Sequence, residues 1–183
     1  VKASRNLDID IELGLQTVNY HNLVDINRGH TLAEYIDAVL RIKRYGLSTT
    51  AHVILNLPGD TELDVIETAK IISALGVDFV KLHSLYVVRG TELGRRYEAG
   101  EFVMISLKEY VERVVTFLEY LSPEIVIQRL VGKGPQDDSL LFCNWDTSWW
   151  KIKDAIDAEF LARNSRQGSK FDYLNGKAVM GKF

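Results

Sequence analysis

Residues 7–17 read LDIDIELGLQT, and the alternation within this stretch decides the class of fold. Its apolar side chains alternate with acidic residues or glycine. A period of two is typical of a β-strand that has one strongly apolar face. The stretch therefore predicts a strand over residues 7–15, with Glu12, Gly14 and Gln16 on the face opposite the apolar side chains.

Helices and further strands follow the first strand in alternation. Helix starts are marked by Thr31-x-x-Glu34, which has the form of a capping box, and by Thr61-x-x-Asp64. Branched apolar runs predict strands over residues 48–57 and 78–88. Strands joined by single amphipathic helices require right-handed crossovers, so this order indicates an α/β fold with a parallel sheet.

The remainder of the chain predicts two more helices and a fourth strand. Ser106-x-x-Glu109 begins a helix that runs to about residue 121, and residues 124–130 alternate as a strand does. A last helix is expected over residues 147–164, and residues 165–183 are polar, which favours an extended tail. Three βα units do not close a barrel, and parallel sheets are normally covered on both faces. We therefore expect the chain to be part of a larger fold.

Composition narrows the function classes. The 183 residues carry a net charge of −3 and are 46% hydrophobic, which is ordinary for a globular domain. Basic residues are interspersed with acidic ones, so no nucleic-acid or membrane partner is expected, and no apolar run approaches the roughly 18 residues of a membrane span. A single cysteine, Cys143, favours a cytoplasmic location and cannot by itself hold an iron–sulfur cluster. The chain does not begin with Met, as expected for a piece of a longer protein.

Turns that follow the predicted strands are the first candidates for a binding site. Ligands of parallel α/β sheets bind at the carboxyl ends of the strands. These ends are residues 14–17, residues 56–59 and residues 86–91. Glycine, proline and asparagine are also ordinary turn formers, so each turn taken alone has a purely structural explanation.

Polar side chains within the predicted strands are the second group of candidates. Glu12 and Gln16 share a strand face, and either a ligand in a barrel interior or a solvated face of an incomplete sheet accounts for them. His52 and His83 lie in the middle of successive strands. A strand histidine is more often a hydrogen-bonded core residue than a ligand, although two at similar depth favour a shared cavity. Lys81 lies on the face of His83, and Glu12 is a possible partner for it.

Arg28 follows a short helical pattern, in the sequence INRGH at residues 26–30. Arginine binds a carboxylate through two parallel hydrogen bonds. An arginine at the end of a helix can instead interact with the last carbonyl groups. The residue type alone leaves both roles open.

Four motifs occur together and in order. They are ELGLQT at residues 12–17, INRGH at residues 26–30, LPGDT at residues 57–61 and GT at residues 90–91. Together they resemble the radical S-adenosylmethionine (SAM) superfamily, closest to the branch with anaerobic coproporphyrinogen III oxidase and Elongator catalytic-subunit-like proteins. VKLH at residues 80–83 is similar to an uncharacterised bacterial subgroup labelled Fe–S oxidoreductases.

This resemblance implies a fold and a chemistry. The family core is a partial (β/α)6, TIM-like barrel, and a CxxxCxxC loop after its first strand holds a [4Fe-4S] cluster. The cluster reduces SAM to methionine and a 5′-deoxyadenosyl radical, which takes hydrogen from a substrate. The motifs match strands four to six, so the cluster loop would precede Val1. We therefore expect an enzyme as the parent protein, and an inactive chain with no cofactor bound when it is alone.

The resemblance also assigns three residues and a division of the chain. Gln16 matches a glutamine that contacts the SAM ribose, Arg28 an arginine near the methionine carboxylate, and His52 a SAM-contacting position that is aspartate in the oxidase. Residues 1–130 would form the half-barrel, 131–164 a loop and helix extension, and 165–183 the tail. The substrate and the catalytic residues stay unassigned, and no metal ligand is expected within the chain.

The main alternative is a non-enzymatic α/β module. Such a module would pack on a partner chain through the open face of its sheet. Two copies could also meet there as a homodimer, because three strands from each would suit a six-stranded closure.

Overall fold

The computed structural model describes residues 8–134 and 138–172. The elements in chain order are β1 (Asp10–Gln16), α1 (Tyr20–Asp25), α2 (Leu32–Arg44), β2 (Ser48–Ile54), α3 (Glu62–Ala74), β3 (Phe79–His83), β4 (Val87–Val88), α4 (Glu92–Glu98), α5 (Leu107–Tyr120), β5 (Val126–Arg129), β6 (Leu140–Phe142) and α6 (Trp149–Ala162). A single 3-10 turn at Asn144–Asp146 links β6 to α6.

Four parallel strands form the main sheet, in the order β1-β2-β3-β5. The order never reverses, and right-handed crossovers therefore bring α2, α3 and α5 to the same face. The prediction of a parallel α/β fold is confirmed, and the four strands form an open part of a barrel. The other face of the sheet is the one that a closed barrel would turn inward.

Local sequence signals explain where the helices begin and end. Thr31 and Thr61 accept hydrogen bonds from the first turns of α2 and α3, and both capping boxes are complete. Ser106 caps α5 in the same way. Gly46 follows α2 with φ of 68°, a left-handed conformation that glycine adopts without steric cost.

The core lies between the sheet and its helices. Val53 and Leu82 of the sheet are fully buried, as are Ile72 of α3 and Phe117 of α5. Ile152 places α6 against the outer side of α5, and its side chain is also fully buried. Each such side chain contributes about 1.5–3 kcal/mol through removal of apolar surface from water.

The predicted third strand is correct only in its first half. The strand β3 ends at His83, and Val87–Val88 instead pairs antiparallel with β6 in a second, two-stranded sheet. Asn56 Oδ1 accepts a hydrogen bond of 2.8 Å from the Leu85 amide, and the Ser84 hydroxyl bonds to Asn144. These two distant asparagines lead the chain out of the sheet, which the local apolar pattern does not reveal.

Two further expectations are corrected. The helix α4 at Glu92–Glu98 was not predicted, because its short sequence has no clear apolar period. Residues 165–172 are not an extended tail: they form turns against α5, where Gly168 and Lys170 donate backbone hydrogen bonds of 2.9 and 2.8 Å to Leu118 and Glu119. Residues 173–183 of the expected tail lie outside the described residues.

A buried carboxyl group joins the loops at the carboxyl end of the sheet. Asp60, after β2, accepts hydrogen bonds from Thr17, after β1, at 3.2 Å and from Asn22 of α1 at 2.5 Å. Gly59 leaves room for this arrangement, because a Cβ there would lie 2.9 Å from Asn22 Oδ1. Burial raises the pKa of Asp60 to about 6, although both hydrogen bonds oppose the shift.

This buried carboxyl group predicts a specific pH dependence of stability. Because the folded pKa of Asp60 is raised, its contribution to stability is fully present below the unfolded pKa and is lost as the pH rises through about 6. Asp60→Asn keeps an acceptor for Thr17 and Asn22 and does not ionise. We expect the free energy of unfolding of the variant to gain about 1–3 kcal/mol relative to wild type between pH 4 and 7.

Urea unfolding followed by circular dichroism at both ends of this pH range measures the difference. Asp157→Asn, at an exposed position of α6, is the matched control and should show no such change across the range. A difference between Asp60→Asn and wild type that is the same at all pH values would contradict the interpretation.

Candidate functional site

A connected set of five polar side chains lies on the face of the sheet that carries no crossover helix. We call this set the polar row; its members are Glu12 of β1, His52 of β2, Lys81 and His83 of β3, and Arg129 of β5. The strand register explains their proximity, because His52 is the partner of Lys81, which in turn is the partner of Arg129. Lys81 and His83 share a strand face, and Glu12 and His52 lie on the same side of the sheet.

Glu12 is the anion of the polar row. Its Oε1 lies 2.6 Å from Lys81 Nζ, and its Oε2 lies 2.6 Å from His52 Nε2. The expected pairing of Glu12 with Lys81 is therefore confirmed. Hydrogen bonds from Lys81 and then His52 lower the pKa of Glu12, so the carboxylate is ionised and only accepts.

The two histidines form the centre of the row. His52 Nδ1 lies 3.0 Å from His83 Nε2, and the rings are stacked with centroids 5.0 Å apart. Arg129 is a permanent cation that only donates, and its terminal nitrogen lies 2.7 Å from the same His83 Nε2. Two directions in the row are fixed by their partners: Arg129 donates to His83, and His52 Nε2 donates to the Glu12 carboxylate.

His83 stays neutral because of its surroundings. Burial is the largest cause, followed by the positive charge of Arg129, and together they lower the pKa of His83 to about 4. Arg129 was not among the candidates chosen from the sequence. Alternation within residues 124–130 was a signal for a strand, but only the register of β5 against β3 places Arg129 beside His83.

Gln16 and Arg28 meet at Gly14. Arg28 donates to the Gly14 carbonyl from Nε at 3.3 Å and from a terminal nitrogen at 2.9 Å. A Cβ at position 14 would lie 2.5 Å from that arginine and 2.6 Å from Gln16 Nε2, so both side chains occupy the space that glycine leaves. Gln16 also has φ of 69°, a left-handed conformation that ends the strand and directs its side chain toward Gly14. We call the meeting point of Gly14, Gln16 and Arg28 the corner at Gly14.

A cavity of about 280 Å3 opens beside this corner. Gln16 and Arg28 line it together with Asp25 and Arg96, whose side chains form a 2.9 Å ion pair. Apolar walls come from five residues, Ile26, Ile54, Leu57, Leu85 and Leu93. The structure thus joins two of the three predicted SAM contacts. His52 lies instead in the polar row, where Glu12 and His83 occupy its two nitrogens.

No group of three or more histidine, cysteine, aspartate or glutamate side chains within residues 8–134 and 138–172 is arranged to hold a metal ion. Cys143 precedes the 3-10 turn, and burial raises the pKa of its thiol. None of the helices in the described part of the chain is long and apolar enough to cross a membrane.

Arg129→Met tests the charge arrangement of the polar row. Removal of the cation should raise the pKa of His83 from about 4 toward its ordinary value, but not fully, because burial remains. Titration of the histidine Cε1 protons by nuclear magnetic resonance measures the pKa. Lys108→Met removes an equal charge at an exposed position of α5 and should leave His83 unchanged. If His83 titrates in Arg129→Met as it does in wild type, the charge of Arg129 does not lower the pKa of His83 and the proposed charge arrangement is wrong.

Comparison with known proteins identifies the class to which this fold and site belong. The radical SAM superfamily model matches residues 2–72, and the model of the radical SAM C-terminal domain matches residues 77–161. An archaeal Elp3 structure from Methanocaldococcus infernus has a TM-score of 0.71 and 22% identity, covering 86% of this chain and 37% of that one. This likeness supports the partial-barrel fold.

The chain belongs to the radical SAM superfamily. The uncharacterized protein YtqA of Bacillus subtilis is 32% identical to 93% of this chain, over 52% of its own length. An uncharacterized protein of Methanocaldococcus jannaschii is 35% identical over 90% of this chain and 51% of its own length. The chain therefore spans about half the length of these relatives.

Proposed function

We propose that this chain forms one side of a SAM-binding site in a radical SAM enzyme. The observation that carries the proposal is the corner at Gly14, where Gln16 and Arg28 converge beside a cavity. Membership of the superfamily supports the choice of SAM as the ligand. The other side of the site, with the cluster, belongs in this proposal to a preceding part of the parent protein.

The residues at the corner suit the chemistry of SAM. Arg28 offers a guanidinium group to the methionine carboxylate, and its bond to the Gly14 carbonyl orients that group. Gln16 has both an amide donor and an acceptor for the ribose hydroxyl groups. The apolar walls, among them Leu57 and Leu85, are suited to an adenine ring.

Cluster chemistry requires residues that this chain does not supply. When bound, the cluster and SAM together provide a carbon-centred radical that takes hydrogen from a substrate. Three thiolates are needed to hold the cluster, whereas the sequence contains only Cys143. The chain alone is therefore proposed to be inactive, and the parent enzyme to work in the cytoplasm, where thiols stay reduced.

The polar row has a separate place in this proposal. It lies on the face that a closed barrel turns inward, where a substrate would approach the cofactor. His83 accepts from Arg129 and His52 donates to Glu12, so the two histidines differ in hydrogen-bond partners although they are in contact. Such a row can orient a polar substrate through donors and acceptors that are already held in position.

A partner that covers the open face is the competing proposal. This face would then pack on another chain or on a second copy. Charged residues are depleted at the centres of protein interfaces, and Glu12, Lys81 and Arg129 lie in the polar row. Static light scattering distinguishes the two, since the SAM-site proposal expects a monomer and the homodimer proposal a doubled mass.

Binding of SAM to the complete parent protein tests the main proposal. Arg28→Ala removes the group that holds the carboxylate, so we expect binding about 10–100-fold weaker. Gln16→Ala should weaken binding less, because its hydrogen bonds are to neutral hydroxyl groups. Equilibrium dialysis with labelled SAM measures both, independently of turnover.

His30→Ala is the matched control for these variants. His30 lies two residues beyond Arg28, bonds to the Thr31 carbonyl and does not line the same cavity. It should bind SAM as wild type does. Circular dichroism establishes that each variant is folded. A folded Arg28→Ala protein with unchanged affinity for SAM would overturn the proposed role of the corner.

A further inference from the structure

A second cavity lies beside β5, the strand at one edge of the main sheet. It has a volume of about 700 Å3 and is bounded by β5, by α6 and by the turns at residues 165–167. This volume is within the range of roughly 300–1,000 Å3 that is usual for small-molecule sites. We call it the β5 cavity. It is separate from the corner at Gly14, since it shares no lining residue with the cavity there.

Basic side chains are the only charged ones in the described lining of the β5 cavity. Its described lining includes four basic side chains, those of Arg129, Lys133, Lys153 and Arg166, and no acidic one. The whole chain has a net charge of −3, so this distribution is uneven. Cations that line a cavity with low-dielectric walls attract and hold anions.

Most of these cations lack a counter-ion. Lys153 pairs with Asp157 at 2.6 Å, but Arg129, Lys133 and Arg166 form no ion pair with any residue in the described ranges. Arg129 Nε is in addition buried without a hydrogen-bond partner in this part of the chain. An unpaired buried donor is costly, and an anionic ligand would remove that cost.

The rest of the lining is apolar and partly aromatic. Leu118, Val131 and Phe160 contribute to it, and Trp149 lies at its α6 side. We propose that the β5 cavity binds a small molecule in which an anionic group, a carboxylate or a phosphate, is joined to an apolar or aromatic body. The anion meets the unpaired cations, and the body packs on the apolar wall.

Occupancy of the β5 cavity also affects the polar row. Arg129 lines the cavity and at the same time donates to His83 on the inward side of the sheet. A bound anion competes with His83 for the same guanidinium group. The ligand therefore changes the environment of His83 without touching it.

The fluorescent probe 8-anilinonaphthalene-1-sulfonate tests this site, because it carries an anion on an aromatic body. Lys133→Met and Arg166→Met should each weaken its binding about 3–10-fold by loss of one unpaired cation. Lys151→Met is the matched control: Lys151 is on the same helix as Lys153, does not line the cavity, and should bind the probe normally. Equal affinity in all three variants would overturn the proposal.

Competition identifies the anion. Octanoate and octyl phosphate have the same apolar chain and different head groups, and displacement of the probe by either supports the site and names its preferred anion. Octanol is the neutral control and should displace little. If octanol competes as well as the two anions, the cavity is merely apolar and the proposal fails.

A second readout separates this cavity from other surfaces that bind the probe. Addition of the probe should shift the His83 Cε1 proton resonance in wild type and in Lys151→Met. The shift should follow the same saturation curve as the fluorescence. A His83 resonance that stays unmoved at saturation would refute the coupling through Arg129 and with it the placement of the anion.

Discussion

The parallel sheet with strand order β1-β2-β3-β5 is the constraint on which the other features depend. Because each crossover has the same hand, the helices α2, α3 and α5 cover one face and leave the other to side chains alone. On that open face, polar groups have to satisfy one another or a ligand. The polar row does so in part, since His52 donates to Glu12 and Arg129 donates to His83, while Arg129 Nε is buried without a partner among the described residues.

Two sets of side-chain contacts then define the carboxyl edge of the sheet. Asp60 ties together the loops after β1 and β2 through Thr17 and Asn22. Gly14 lets Arg28 and Gln16 close over the strand. The first holds the loops in place, and the second creates the corner for which we propose SAM binding. Both depend on residues far apart in the chain, and both follow from the way parallel strands gather their ends at one edge.

Much of the fold could be predicted because its signals are local. Period-two alternation predicted β1, and the capping residues Thr31, Thr61 and Ser106 predicted the starts of three helices. The second half of the predicted third strand was wrong because Asn56, from the end of β2, captures the Leu85 amide. Of the site, Gln16, Arg28 and the Glu12–Lys81 pair were expected, whereas Arg129 was missed. No local pattern indicates which residue of one strand lies beside a residue of another.

The sequence by itself determined the class of fold, the starts of α2, α3 and α5, and the superfamily, since these rest on periodicity, capping and ordered motifs within short stretches. Only the tertiary structure decided which polar groups touch. Register placed His83 between His52 and Arg129, and the same arginine lines a basic cavity beside β5. The physical reason is that hydrogen bonding, burial and pKa depend on distances between strands, and those distances exist only once the sheet has formed.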